Sequence, residues 1–213
     1  MRTKIPKIFM QTSRQKPQQY IVDMIKKNSP EWDYQHYTDD EIIIFFSENP
    51  IEEFPNIIAK FYSLSYGEHR ADLFRYYFLY VKGGIYMDMD AMIKDNIENI
   101  IQDSEFFTVE SSYFPNTVFQ GFLGAIPKHP LIYKALKDIY ITPLENLIKE
   151  FHLLCKNLFY FILEYKNDII YKESKIILFK EVYGNEFEAY VKNNKDKLVL
   201  IHYHIKKVIP YDS

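Results

Sequence analysis

The sequence predicts an α/β fold: a single Rossmann-type domain with a mostly parallel central sheet flanked by helices and a helical C-terminal part. Three observations lead there. Apolar runs of strand length alternate with helix-period runs over residues 1–130. Ser65 and Glu68 form a Ser-x-x-Glu pattern at the start of a long apolar helix. Gly83-Gly84 then supplies the residues that turn left-handed after a helix, and a short buried strand follows at once.

Residues 7–11 read as the first strand and 17–27 as an amphipathic helix. Residues 34–37 form a second strand. Thr38, with Glu41 three positions later, caps a helix running to Phe46. Residues 56–62 form another helix. The helix from Tyr66 to Lys82 is apolar almost all round, through Ala71, Leu73, Phe74, Phe78, Leu79 and Val81, which is the pattern of a buried helix. Residues 85–88 form the strand after it, and further strands fall at 106–110 and 119–126. His129-Pro130 starts a helix to Tyr140, with His129 as a helix-start residue rather than a ligand. Residues 142–165 are mostly helical, and 175–180 and 198–203 are late strands.

At 213 residues the chain is one domain. A net charge of −3 gives no nucleic-acid footprint. The 19 Tyr and 17 Phe make the core aromatic, and each Tyr hydroxyl needs a partner at a core edge or in a cleft. The one cysteine, Cys155, excludes an intramolecular disulfide and reads as inert packing. No apolar core follows Met1-Arg2-Thr3-Lys4, and no 18-residue apolar run occurs. The expectation is a soluble, cytoplasmic chain without an integral membrane segment.

Asp88-Met89-Asp90 is the most informative feature. The helix climbs roughly 15 Å from Asp72 to Lys82 at about 1.5 Å per residue. The strand returns roughly 10–16 Å at about 3.3 Å per residue. Asp72 and Arg75 therefore come back to the level of Asp88 and Asp90, at the carboxyl ends of strands where ligands bind such sheets. Neither Asp88 nor Asp90 has a cationic partner in sequence reach. Hard carboxylate oxygens suit Mg²⁺ or Mn²⁺, whose shell is completed by phosphates and water. A cation there can hold and neutralise a diphosphate. Arg75 either contacts phosphate or sugar, or pairs with Asp72 at i, i+3.

The run from Arg70 to Ala91 resembles the signature of glycosyltransferase family 32, the DXD-containing sugar transferases of the GT-A fold, in Asp72, Arg75, Gly83, Gly84, Tyr86, Asp88 and Asp90. Ile5-Pro6-Lys7-Ile8-Phe9-Met10-Gln11-Thr12 is similar to the family's opening strand, with Met10 where His is usual. Asn28 to Tyr34 and Thr38-Asp39-Asp40-Glu41 match its second strand and next helix. The resemblance implies a metal-dependent, retaining hexosyltransferase. Its donor would be a UDP- or GDP-linked sugar, held by Gln11, Thr12, Asp72, Arg75, Tyr86, Asp88, Met89 and Asp90. Its acceptor would be a glycan or another hydroxyl compound. Residues 1–130 would bind the donor, and 131–213 would complete the domain on the acceptor side.

Gln120, in Gln120-Gly121-Phe122-Leu123-Gly124-Ala125, stands where the family often faces an Asn or Asp to the transferred sugar. Gly121 either permits close backbone approach or marks a bulge. Family members often end with a His close to the metal; His202 and His204 are the candidates, joined to Asp88 and Asp90 as metal ligands. Lys206 and Lys207 read as surface residues or diphosphate contacts, and Trp32 as core or a base-stacking ring. Two other functions compete with this one. A phosphatase using an Asp-x-Asp nucleophile needs the motif on the first strand with Thr or Val two residues on; the motif lies at residue 88 and Met92 follows. A non-catalytic nucleotide-sugar-binding module of the same fold stays open. No phosphate-binding Gly-x-x-x-x-Gly-Lys-Ser/Thr loop is present.

Overall fold

A computed structural model describes residues 3–171 and 173–203, and structural statements refer to these. His204, Lys206 and Lys207 lie outside them. The strands are β1 (Ile8–Thr12), β2 (Asp33–Tyr37), β3 (Gly84–Met87), β4 (Ala91–Ile93), β5 (Phe106–Glu110), β6 (Val118–Ala125), β7 (Ile176–Tyr183), β8 (Glu188–Lys192) and β9 (Leu198–Tyr203). The helices are α1 (Gln19–Asn28), α2 (Asp39–Glu48), α3 (Ile57–Ser63), α4 (Gly67–Val81), α5 (Ile97–Ile101), α6 (Pro130–Ile141), α7 (Leu144–Lys149) and α8 (Leu153–Asn167).

The strands form one sheet in the order β2-β1-β3-β6-β5-β7-β8-β9-β4. The α/β class stands, but the sheet is mixed rather than mostly parallel. Only β1–β2, β1–β3 and β5–β7 pair in parallel. The other five pairings are antiparallel. Helical crossovers make the first three strands parallel, because a parallel connection must return over the sheet. Beyond β3 a short loop joins β5 to β6, the helices α6–α8 carry the chain from β6 to β7 beside β5, and β7, β8 and β9 form a meander. Among the described residues the C-terminal part is α-helical to Asn167, adds a 3-10 turn at Ile169–Tyr171 and then forms three strands. Neither three-residue β4 nor half-exposed β8 stands out in the sequence pattern.

Both faces of the sheet are covered, and strand alternation divides the core between them. Met10, Tyr86 and Phe106 face a large cluster under α2, α3, α4, α6 and α8. Their neighbours Phe9, Ile85 and Phe107 face a second cluster with Ile21 and Ile25 of α1. Met10 is fully buried, which suits an apolar side chain at that position. Trp32 is core as well. Among the described residues no helix is long and apolar enough to cross a membrane.

Local signals and outcomes part at one helix start. Thr38 and Glu41 close a complete capping box on α2. Ser65 and Glu68 do not close one on α4; Tyr66 is its N-cap, without a side-chain hydrogen bond. Arg70 ties that turn instead, donating from Nε to the Leu64 carbonyl at 3.0 Å and from its backbone N–H to the Tyr66 carbonyl at 3.2 Å. At the other end both glycines are required. Gly83 has φ +69° and Gly84 φ +112°, and a Cβ on either would lie 2.7 Å from Pro127 or from the Ile8 carbonyl oxygen. The helix thus stops and turns directly into β3, packed against β1.

Candidate active site

Only Asp88-Met89-Asp90 separates β3 from β4, although these strands stand at the third and ninth places in the sheet. The chain leaves the sheet there and crosses to its far edge. β9 brings that edge back: Ala91 pairs with His202, and the Tyr203 N–H donates to the Asp90 carbonyl at 2.8 Å. A cavity of about 1310 Å³ opens at this crossing, and Thr12, Asp72, Arg75, Tyr86, Asp88, Met89, Asp90, Gln120 and His202 all line it.

Tyr86 and Asp88 are two apart and share a face with α4. The Tyr86 hydroxyl donates to Asp88 Oδ1 at 2.6 Å. Arg75 Nη2 donates to the Tyr86 hydroxyl at 3.1 Å and lies 3.6 Å from Asp88 Oδ1. Its Nη1 donates to the Gln120 carbonyl at 2.8 Å and lies 3.3 Å from Asp72 Oδ1. The guanidinium sits 4.1 Å over the Tyr86 ring. Oriented by its neighbours, the Gln120 amide donates from nitrogen to Asp72 Oδ1 at 2.8 Å and accepts from the Cys155 N–H at 3.1 Å.

Burial raises the pKa of Asp72, opposed by the charge of Arg75. Burial lowers that of Arg75, but Tyr86, Asp72 and Asp88 outweigh it and the net shift is upward. The Tyr86 hydroxyl is pushed up by burial and stays a neutral donor. Asp72 and Arg75 therefore pair with each other and also line the cavity.

Gln11 is the one predicted site residue among the described ones that does not line the cavity. It is fully buried, donates to the carbonyls of Met87 and Asp88 at 3.1 and 3.2 Å, and accepts from the Tyr34 hydroxyl at 2.9 Å. Its place is to hold the end of β3. His129 is the N-cap of α6, accepting the Leu131 N–H at its Nδ1.

One residue of the site escapes sequence reasoning. Glu181 on β7 is buried, accepts from Ser111 Oγ at 2.9 Å and the Ser112 N–H at 3.2 Å, and stands 3.4 Å from His202 Nδ1. Burial lowers the pKa of His202, but Glu181, Asp90 and Asp88 outweigh it and raise the value overall. At Gly121, read from the sequence as a close approach or a bulge, a Cβ would lie 2.3 Å from Asp88 Oδ2. The register shift against β5 leaves the extra residues on β6 between Phe119 and Gly124, the stretch that holds Gly121. Nothing in the sequence joins Glu181 to His202.

Residues 15–107 match the family described as the glycosyltransferase sugar-binding region containing the DXD motif. That match likens this region of the chain to the DXD glycosyltransferases. The chain is 27% identical over 143 residues to inositol phosphoceramide mannosyltransferase 1 of Schizosaccharomyces pombe, covering 64% of this chain and 43% of that protein. It is 30% identical over 139 residues to mannosyl phosphorylinositol ceramide synthase CSH1 of Saccharomyces cerevisiae, covering 63% and 35%. It thus spans less than half the length of these curated relatives. The solved PaToxG glycosyltransferase shares the fold, with a TM-score of 0.51 at 15% identity over 79% of this chain and 70% of that one.

The donor set of this DXD region fits a hard divalent cation. Asp88 Oδ2 and the Phe119 ring press against Gly121, where a Cβ would clash, and Asp88, Asp90 and His202 line the same cavity with hard oxygen and imidazole donors. Among the described residues no three His, Cys, Asp or Glu side chains converge as a closed metal site. Sites that keep room for substrate phosphates and water are built this way.

Proposed function

We propose that this chain is a hexosyltransferase domain, 1–213, that takes its sugar from a UDP- or GDP-linked donor and passes it, with retention, to a glycan or other hydroxyl acceptor. In this reading residues 1–130 bind the donor and 131–213 complete the domain on the acceptor side. The observation that carries this is the convergence of Asp72, Arg75, Gln120, Asp88 and Asp90 on one cavity at the carboxyl ends of β1 and β3. The mannosyltransferase names of its relatives agree with it.

Asp88, Asp90 and His202 would hold Mn²⁺ or Mg²⁺, which as a Lewis acid neutralises a departing diphosphate. Arg75 is kept charged and fixed by four partners, so it presents a cation without reorganisation. Asp72 and Gln120 orient sugar hydroxyls beside it. Asp72 is already engaged by Arg75 and Gln120, which suits positioning rather than attack on carbon. A route without a protein nucleophile agrees with this. The acceptor oxygen bonds to the anomeric carbon on the face the diphosphate leaves, the carbon–phosphate oxygen bond breaks, and the acceptor proton passes to the leaving phosphate.

Hydrolysis of a panel of nucleotide sugars with Mn²⁺ tests the reading. At least one should be cleaved, and the Asp88→Ala/Asp90→Ala variant should not cleave it. Equal turnover by that variant overturns the reading.

A further inference from the structure

The cavity is larger than one substrate needs, and its two sides differ in chemistry. Its volume of about 1310 Å³ exceeds the roughly 300–1,000 Å³ of an ordinary small-molecule pocket. On the β1 side the loop after Thr12 supplies Arg14 and Lys16, with Arg75 near the ends of β1 and β3. The order β2-β1-β3 puts the topological switch point there, and the cations suit a diphosphate.

The opposite side is aromatic and acidic. The start of α8 and the β5–β6 loop bring Phe151, His152, Phe114 and Tyr113 into one wall. Phe114 and His152 lie 4.1 Å apart and Phe151 and His152 5.1 Å apart, between ring centroids. Phe114 and Phe151 stay 48% and 40% exposed, large rings left open to solvent beside a catalytic cleft. The acids on this side are Glu68, Glu186 and the buried Glu181, which Ser111 and Ser112 of the β5–β6 loop engage. Arg70 lines the cavity but is turned to the Leu64 carbonyl and Asp39 of α2. No other Lys or Arg among the described residues lines this side. Burial and the charge of His69 hold the His152 pKa below its ordinary value, so its ring is neutral near pH 7.

Resting on the donor assignment above, we propose that this wall is the acceptor subsite and that it takes a neutral saccharide. An aromatic face carries negative charge density that attracts the C–H edge of a pyranose. Carboxylates accept from sugar hydroxyls, and the same carboxylates repel a phosphate on the acceptor. The cavity thus sorts its substrates by charge: the diphosphate to the β1 side, the neutral sugar to the rings.

The test uses saturation-transfer NMR on the whole chain with Mn²⁺ and UDP or GDP. The probes are the neutral disaccharides maltose, cellobiose and mannobiose, with mannose 6-phosphate as the charged counterpart. A neutral disaccharide should bind at least about tenfold more tightly than mannose 6-phosphate. Phe114→Ala and Phe151→Ala should each weaken it about tenfold, and Phe151→Tyr, which keeps the ring, should restore it. Thermal melts check that each variant is folded. The subsite assignment fails if a nucleotide binds and no disaccharide does, if mannose 6-phosphate binds as tightly, or if folded alanine variants keep wild-type affinity. If no nucleotide binds, the donor reading fails first and the subsite with it.

Discussion

Gly121 makes room for Asp88: a Cβ at residue 121 would stand 2.3 Å from Asp88 Oδ2 and 2.2 Å from Phe119 Cζ. Both atoms belong to side chains that can shift, so Gly121→Ala should cost only about 1–3 kcal/mol of stability. A carboxylate displaced by about 1 Å is worth about 10²-fold in rate. We expect Gly121→Ala to fold and to lose about 10²-fold in transfer. Wild-type turnover with a folded variant would show that the carboxylate position does not matter.

Asp88→Ala with Asp90→Ala should abolish transfer and make the binding of UDP and GDP independent of Mn²⁺. Two carboxylates repel a diphosphate, and a bridging cation reverses the sign. Calorimetry with Mn²⁺ and then with EDTA reads this. The sequence shows no cation near the pair, which suggests that the substitution relieves repulsion and stabilises. The fold places Arg75 Nη2 3.6 Å from Asp88 Oδ1 and the Tyr86 hydroxyl at 2.6 Å, so we expect a loss of about 1 kcal/mol instead.

Asp72→Asn should lower transfer about 10²-fold or more with little change in stability. Arg75 would keep Asp88, the Tyr86 hydroxyl and the Gln120 carbonyl as partners, so no buried charge is stranded. A variant that lost several kcal/mol of stability yet stayed active per folded molecule would make the pair structural. Steady-state kinetics and chemical denaturation, run together, separate the two.

His129 should make the fold acid-sensitive. Burial lowers its pKa from 6.5 to about 4, opposed by the charge of Glu105, and its Nε2 has no hydrogen-bond partner among the described residues. Below pH 6.5 the unfolded chain takes a proton that the folded one refuses. Stability is therefore full above pH 6.5 and is lost as pH falls toward 4, by up to roughly 3 kcal/mol. Asn keeps the N-cap of α6 without titrating. Denaturation midpoints for His129→Asn should fall less than wild type between pH 6.5 and 4; parallel curves would refute the assignment.

The sequence by itself determined what a few neighbouring residues can enforce. The strand 106–110 and the strand 198–203 coincide with β5 and β9, since apolar runs of that length have one way to be buried. The α4–Gly83-Gly84–β3 run is legible because left-handed backbone at two successive positions admits little but glycine. That run alone brings Asp72 and Arg75 to Asp88. Only the tertiary structure decided the rest. Whether Ser65 or Arg70 ties the start of α4 depends on which carbonyls the incoming chain leaves within reach. That β4 lies at the far edge of the sheet depends on β9, more than 100 residues later, offering a free edge. The Glu181–His202 contact, the room beside Gly121 and the aromatic wall are all set by which strands and loops happen to meet. Such contacts between distant segments follow from packing and closure of the whole chain, and no local pattern of residues encodes them.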